Sequence, residues 1–182
     1  ANTECKINPD TGEVLMKTPW TMQGYYKEPT LTQETIIDGW MHSGDKGILQ
    51  DDGYVKIIGR VKDAFKTGKG KFIVPTSIEE KFDGIGCIDQ VCVAGLGTPQ
   101  PIALINLSEE GLKCSKDEVQ KILEETLTKV NSSLHGHEKL ASIVVTKETW
   151  SDANKLLTPT LKIKRGSINE RYGDHMQAWH DD

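Results

Sequence analysis

Several features are missing or scarce in this sequence, and each absence excludes something. No apolar run approaches the roughly 20 residues that a membrane-spanning helix needs, and mean hydropathy is −0.46. The opening residues, Ala1-Asn-Thr-Glu-Cys-Lys6, hold no apolar stretch of the kind a secretion signal carries. Excess positive charge is also lacking. Lys and Arg number 22 against 27 Asp and Glu, a net charge of −5, which argues against a dedicated nucleic-acid binder. Aromatics make up only 6% of the chain and are not interleaved with its basic residues, so no base-stacking platform is expected. The four cysteines, Cys5, Cys87, Cys92 and Cys114, form no Cys-x-x-Cys pair, and His135 and His137 flank Gly136 without matching ligands. No metal site is expected from such spacing. The expectation is a soluble, cytoplasmic protein with no transmembrane segment, peripheral attachment to membranes being left open.

What remains is an ordinary globular composition over 182 residues, 36% hydrophobic and 27% charged, long enough to bury a core without covalent staples. Residues 13–58 read as short strands set apart by turn signals. Val14–Lys17, Met22–Tyr26, Gly39–His42 and Gly47–Gln50 are the candidates, with a capped helical turn over Glu28–Thr35. Asp51-Asp-Gly53 predicts a tight hairpin turn, because glycine supplies the positive φ such turns need, and Tyr54–Ile58 then pairs back. From Arg60 the character changes. Pro75–Phe82 predicts a short helix capped by Thr76 or Ser77. Ile88–Leu96 and Ile102–Leu107 predict paired strands. Ser115 with Glu118 predicts a capping box, opening a helix whose Val119, Ile122, Leu123, Leu127 and Val130 recur at helical spacing. A third strand over Leu140–Thr146 and a closing helix over 166–179 complete the pattern. The fold class expected is α+β: a small β-rich segment, residues 1–59, followed by a compact α+β C-terminal domain, residues 60–182.

Five short constellations then occur in order: Gly12-Glu13; Met22-Gln-Gly24-Tyr25-Tyr26; Gly39-Trp40-Met-His42-Ser43-Gly44-Asp45; Gly59-Arg60-Val-Lys62-Asp63; and Leu157-Thr158-Pro159-Thr160-Leu161-Lys162-Ile163-Lys164-Arg165. Together they resemble the adenylate-forming superfamily, which includes acyl- and aryl-CoA synthetases, beetle luciferases and the adenylation domains of peptide synthetases. The Thr-Pro-Thr-Leu-Lys form is similar to that of the long-chain fatty acid–CoA ligase subgroup. Many members have glycine before the lysine, where this chain has Leu161.

The resemblance implies roles for particular residues. Asp45 matches the aspartate that binds the ribose of ATP, and a carboxylate suits a cis-diol because it accepts a hydrogen bond from each hydroxyl. Arg60 matches an arginine near the same ribose. Lys62 stands at the family's hinge, on which the C-terminal domain swings between adenylation and thioester formation. Lys162 matches the catalytic lysine of adenylation, where an ammonium offsets the charge gathering as a carboxylate meets the α-phosphate. Its register against Lys164 stays open. Gly68-Lys69-Gly70-Lys71 matches the loop lining the CoA channel, where Lys69 or Lys71 is a candidate for CoA phosphates, although a plain surface turn also fits. The spacing of a Walker phosphate loop is missing there.

The family's Ser/Thr/Gly-rich phosphate loop, its element for adenine and Mg²⁺ and its acyl tunnel have no counterpart in these residues. By the family's layout, residues 1–59 are the last piece of the large AMP-binding domain and 60–182 the mobile C-terminal domain. The implied reaction joins fatty acid and CoA through an acyl-adenylate at the expense of ATP. Mg²⁺ would be held mainly by the large domain, and the fragment alone is expected to be inactive. Two other readings stay open: an acyl-AMP ligase or carrier-protein-loading adenylation enzyme, and a non-catalytic nucleotide- or partner-binding module.

Overall fold

The computed structural model describes residues 3–181. The chain divides into two units between Asp63 and Ala64, and both mix strands with helices, as the α+β expectation requires.

One long strand organises the first unit. Gly39 turns the chain at φ +77° into a ten-residue strand, Trp40–Leu49. In chain order the elements are β1 (Glu4–Ile7), β2 (Glu13–Lys17), α1 (Pro29–Thr35), β3 (Ile36–Ile37), β4 (Trp40–Leu49) and β5 (Val55–Arg60). β2 lies antiparallel along one edge of β4 and pairs with β1 on its far side, while β3 and β5 share the other edge of β4. Asp51-Asp-Gly53 makes the turn between β4 and β5, with Gly53 at φ +84°.

Two strand expectations need correction here. Gly39–His42 and Gly47–Gln50 are not separate strands, because ladder pairing carries β4 through Gly44 and Gly47. Gly47 is required within it: a Cβ there would meet Val14 Cγ2 at 2.6 Å. Met22–Tyr26 forms no strand. Gly24 at φ +155° and the Tyr25 N–H bond to Thr32 Oγ1 (2.9 Å) fold it onto the start of α1 instead. Among its described residues the buried hydrophobic side chains are Val14 and Leu15, whereas Trp20, Tyr26, Leu49 and Tyr54 are exposed.

The second unit holds β6 (Phe65–Lys66), β7 (Phe72–Ile73), α2 (Pro75–Glu79) with a 3₁₀ turn to Phe82, β8 (Ile88–Ala94), β9 (Ile102–Leu107), α3 (Lys116–Ser132), β10 (Ile143–Val145), α4 (Arg165–Tyr172) and α5 (Met176–Asp181). β9 is the middle of a three-stranded sheet, antiparallel to β8 and parallel to β10. Alternation along β9 sorts its two faces, since successive side chains of a strand point to opposite sides. Ile102 and Leu104 join Cys92, Trp150, Leu156, Leu157, Ile168 and Tyr172 on one side. Ala103 packs with Ile73, Ile78, Phe82 and Val130 on the other, and Ile105 with Val119 and Leu123 of α3.

Asn106, on the Leu104 face, is buried yet fully engaged. It donates to Thr146 Oγ1 (2.6 Å) and Glu148 O (3.0 Å) and accepts from the Trp150 N–H (2.6 Å). The capping box forms as expected, the Ser115 N–H reaching Glu118 Oε2 at 2.8 Å. Neither Thr76 nor Ser77 caps α2. Val74 occupies the N-cap position, and the Ser77 hydroxyl donates back to its carbonyl at 2.9 Å. The closing helix is broken into α4 and α5 by a 3₁₀ turn, Gly173–His175.

Candidate active site

Asp45 sits where the β2–β4 ladder is interrupted. Between Glu13 and Leu15 the partner strand advances from Lys46 to His42, so Ser43, Gly44 and Asp45 face Val14 alone. Such a bulge breaks ladder bonds and re-aims a side chain. Gly44 lies at φ +73°, a conformation that suits glycine. Side chains replace the lost ladder bonds. Ser43 Oγ donates to Val14 O (2.7 Å) and accepts from the Asp45 N–H (3.1 Å), while the Gly44 N–H reaches Glu13 Oε1 at 2.8 Å.

On the other edge of β4, Asp45 is the direct cross-strand partner of Arg60. Arg60 Nη1 lies 2.7 Å from Asp45 Oδ1. The guanidinium also passes over Gly44, where a Cβ would stand 3.3 Å from Nη2. The two side chains remain 60% (Arg60) and 32% (Asp45) exposed, so the pair contributes little to stability and is open to a ligand. Val61 closes the corner by donating to Gly44 O at 2.8 Å. Lys62 follows in an exposed turn.

In the second unit the other candidate residues stand on two hairpins of the same construction. In Thr67–Lys71 the Thr67 N–H bonds Lys71 O (2.9 Å), the Gly70 N–H bonds Thr67 O (2.9 Å), and the Lys71 N–H reaches Thr67 Oγ1 (3.3 Å). In Thr158–Lys162 the same three bonds recur, at 2.7, 2.8 and 3.0 Å. Each is a three-residue loop whose last residue takes the left-handed conformation. Gly70 fills that position at φ +72° and Leu161 at φ +60°. Glycine suits the position before Lys162 for this reason, and Leu161 holds it at a steric cost of about 1–2 kcal/mol. Gly68 has a different reason to be glycine, since a Cβ would lie 2.5 Å from Gly97 O.

Lys69, Lys71, Lys162 and Lys164 are all exposed, while Ile163 tucks into the core between the last two. Lys162 is at the end of the loop, whereas Lys164 is the N-cap residue of α4, its N–H bonded to Leu156 O at 2.9 Å. Arg165 is not solvated like the lysines before it. It is only 14% exposed and grips Glu79, also 14% exposed, through Nη1–Oε1 (2.7 Å) and Nη2–Oε2 (2.9 Å). Glu79 Oε1 also accepts the Val93 N–H at 2.7 Å, and Arg165 donates to Val93 O at 3.2 Å. The pair fixes the residues just after the Lys162 loop to α2 and β8. Nothing in the sequence joins residues 86 positions apart; the one hint is a glutamate following the apolar Ile78.

Among the described residues no group of His, Cys, Asp and Glu is arranged to hold a metal ion, and no helix is long and apolar enough to cross a membrane.

Residues 62–182 match the family model described as the AMP-binding enzyme C-terminal domain. The chain is 38% identical over 189 residues to long-chain-fatty-acid–CoA ligase 5 of Rattus norvegicus, a match covering 93% of the chain and 28% of that protein. It is 32% identical over 185 residues to fatty acyl-CoA synthetase B of Dictyostelium discoideum, covering 92% and 28%. The chain thus spans little more than a quarter of the length of these relatives. Among solved structures, the adenylation domain of a carboxylate reductase from Mycobacterium chelonae superposes with a TM-score of 0.82 at 22% identity, over 100% of the chain and 31% of that domain. That likeness is one of fold.

Proposed function

Since this chain belongs to the AMP-binding enzymes, whose C-terminal domain its residues 62–182 match, we propose that it is the C-terminal portion of an ATP-dependent long-chain acyl-CoA synthetase. The observation that carries this reading is the Asp45–Arg60 pair, held 2.7 Å apart and open to solvent on a bulge braced by side chains. A solvent-facing carboxylate, with lone pairs beyond those Arg60 uses, beside a guanidinium is what a ribose diol with an adjoining phosphate requires. In this reading residues 1–59 are the last piece of the large AMP-binding domain and residues 60–182 the C-terminal domain that swings on Lys62. The exposure of Trp20, Tyr26, Leu49 and Tyr54 supports a further covering surface for the first piece.

Adenylation forms a bond between a fatty acid carboxylate oxygen and the α-phosphorus of ATP, and breaks the bond to the β-phosphate oxygen, releasing pyrophosphate. Asp45 accepts hydrogen bonds from the ribose hydroxyls, and Arg60 lies against the same sugar. Lys162, presented at its loop end, places an ammonium by the crowded carboxylate and phosphate oxygens, where charge stabilisation is worth most. Mg²⁺ held mainly by the large domain would supply further charge neutralisation. In the second half-reaction the CoA thiol attacks the acyl carbonyl and AMP leaves. Lys69 or Lys71, on the sister hairpin, is the candidate to meet CoA phosphates, with Gly70 letting the backbone approach.

The test is acyl-CoA formation by the intact polypeptide, with AMP and pyrophosphate released in equal amounts. The 182-residue chain alone is expected to make neither acyl-adenylate nor thioester. Acyl-adenylate made by the isolated chain would contradict the division of labour, and transfer to a carrier protein with no transfer to CoA would replace the acceptor.

A further inference from the structure

Glu13, beside the turn at Gly12, has no part in the chemistry above, yet the structure points it at the Asp45 bulge. We propose that Glu13 is a positioning residue for nucleotide binding: its carboxylate locks the bulge that aims Asp45 at the ribose. The inference rests on the reading of Asp45 as the ribose ligand.

The argument starts from hydrogen-bond accounting. A bulge strips ladder partners from the backbone, and a stripped N–H away from water must find another acceptor. On β4 the donor concerned is the Gly44 N–H, next to Asp45, and Glu13 Oε1 takes it at 2.8 Å. Glu13 itself has little freedom. Its side chain is 12% exposed, and its second oxygen, Oε2, lies 2.8 Å from His42 Nδ1. An ionised carboxylate only accepts, so the His42 Nδ1–H is the donor. The carboxylate thus spans the bulge, bonded to the residue before it and to its middle residue. Ser43 Oγ, bonded to Val14 O and to the Asp45 N–H, completes the clamp. Each bond restrains the backbone that carries Asp45, and none uses the Asp45 carboxylate, which stays available for a ligand.

The geometry separates the two properties of Glu13, reach and charge. Glu13→Asp keeps the charge and withdraws the acceptor by one methylene, out of reach of the Gly44 N–H. Glu13→Gln keeps an acceptor at full length and removes the charge. In the full-length enzyme, Glu13→Asp is expected to raise KM for ATP about tenfold, with kcat and the KM values for fatty acid and CoA within about twofold of wild type. Glu13→Gln is expected to restore KM for ATP to within about threefold. Asp45→Ala, run alongside, should raise KM for ATP more than Glu13→Asp does. Equal changes in KM for all three substrates, or a fall in kcat alone, would make Glu13 a general structural residue and overturn the proposal. So would a KM for ATP unmoved by Glu13→Asp while Asp45→Ala raises it. If Asp45→Ala leaves KM for ATP unchanged, the ribose reading of Asp45 fails first, and the role of Glu13 with it.

Discussion

Glu79→Ala removes the carboxylate that Arg165 grips and leaves a guanidinium, 14% exposed, facing the core edge. Breaking an ion pair that water barely reaches by deleting one partner costs about 3–5 kcal/mol, because the remaining charge loses that partner's compensation. The lower end applies here, since Arg165 keeps its bond to Val93 O (3.2 Å) and the site is not fully dry. The Val93 N–H also loses its acceptor, so the loss should not fall much below about 3 kcal/mol. At about 4 °C per kcal/mol for a domain of this size, the unfolding midpoint should drop by about 12 °C. Arg165→Lys is a graded control. It keeps a cation but not the two-pronged fork, and should lose about half as much. Differential scanning calorimetry at neutral pH reads both. A drop under about 3 °C for Glu79→Ala would refute the reasoning, showing that the pair stabilises no more than an exposed one.

At Leu161, relief of the left-handed strain works against the greater freedom that glycine gives the unfolded chain, roughly 0.4–1 kcal/mol. Leu161→Gly should therefore be neutral or stabilising by up to about 1.6 kcal/mol, while Leu161→Val, β-branched at φ +60°, should destabilise by about 1 kcal/mol; urea unfolding of the pair checks the sign. Hydrogen bonds from the Ser115 backbone and then its side chain hold the Glu118 carboxyl below its usual value. A lowered folded-state pKa means that the contribution is complete above the ordinary carboxylate pKa and disappears as pH falls through the lowered one. The gap in midpoint between wild type and Glu118→Gln should accordingly be present at neutral pH and close in strong acid.

Local signals were the ones a linear reading could use. The Ser115–Glu118 box lies within four residues, and the Asp51-Asp-Gly53 turn within three, so their geometry is set by chemistry visible in one glance at the chain. The β8–β9 pair was legible because Val91–Ala94 and Ile102–Ile105 are short apolar runs, as strand segments buried on both faces tend to be. Expectations failed where pairing overrode local composition. Gly44 and Gly47 read as breaks, yet β4 runs through them because the bulge at Gly44 and the close approach of Val14 at Gly47 both demand glycine. Met22–Tyr26 lies between turn signals like a short strand but pairs with no strand; it folds onto α1 instead. Nothing local marks Arg165 as buried, because its partner is 86 residues away. Glu13 read as half of a turn motif, since nothing local shows that it spans a bulge 31 residues on. Asp45, Arg60 and Lys162 were singled out by the resemblance and not by any local signal; the structure adds why Leu161 is tolerated before Lys162, as a single left-handed residue at a loop end, open to solvent.

The assignment of Lys162 is tested most directly in the full-length enzyme by measuring the two half-reactions separately for Lys162→Ala, with Lys164→Ala beside it. Loss of adenylation in Lys162→Ala, with thioester formation from supplied acyl-adenylate retained and Lys164→Ala near wild type, is the expected result. Adenylation untouched in Lys162→Ala would contradict it, and a loss confined to Lys164→Ala would move the catalytic ammonium from the loop end to the start of α4.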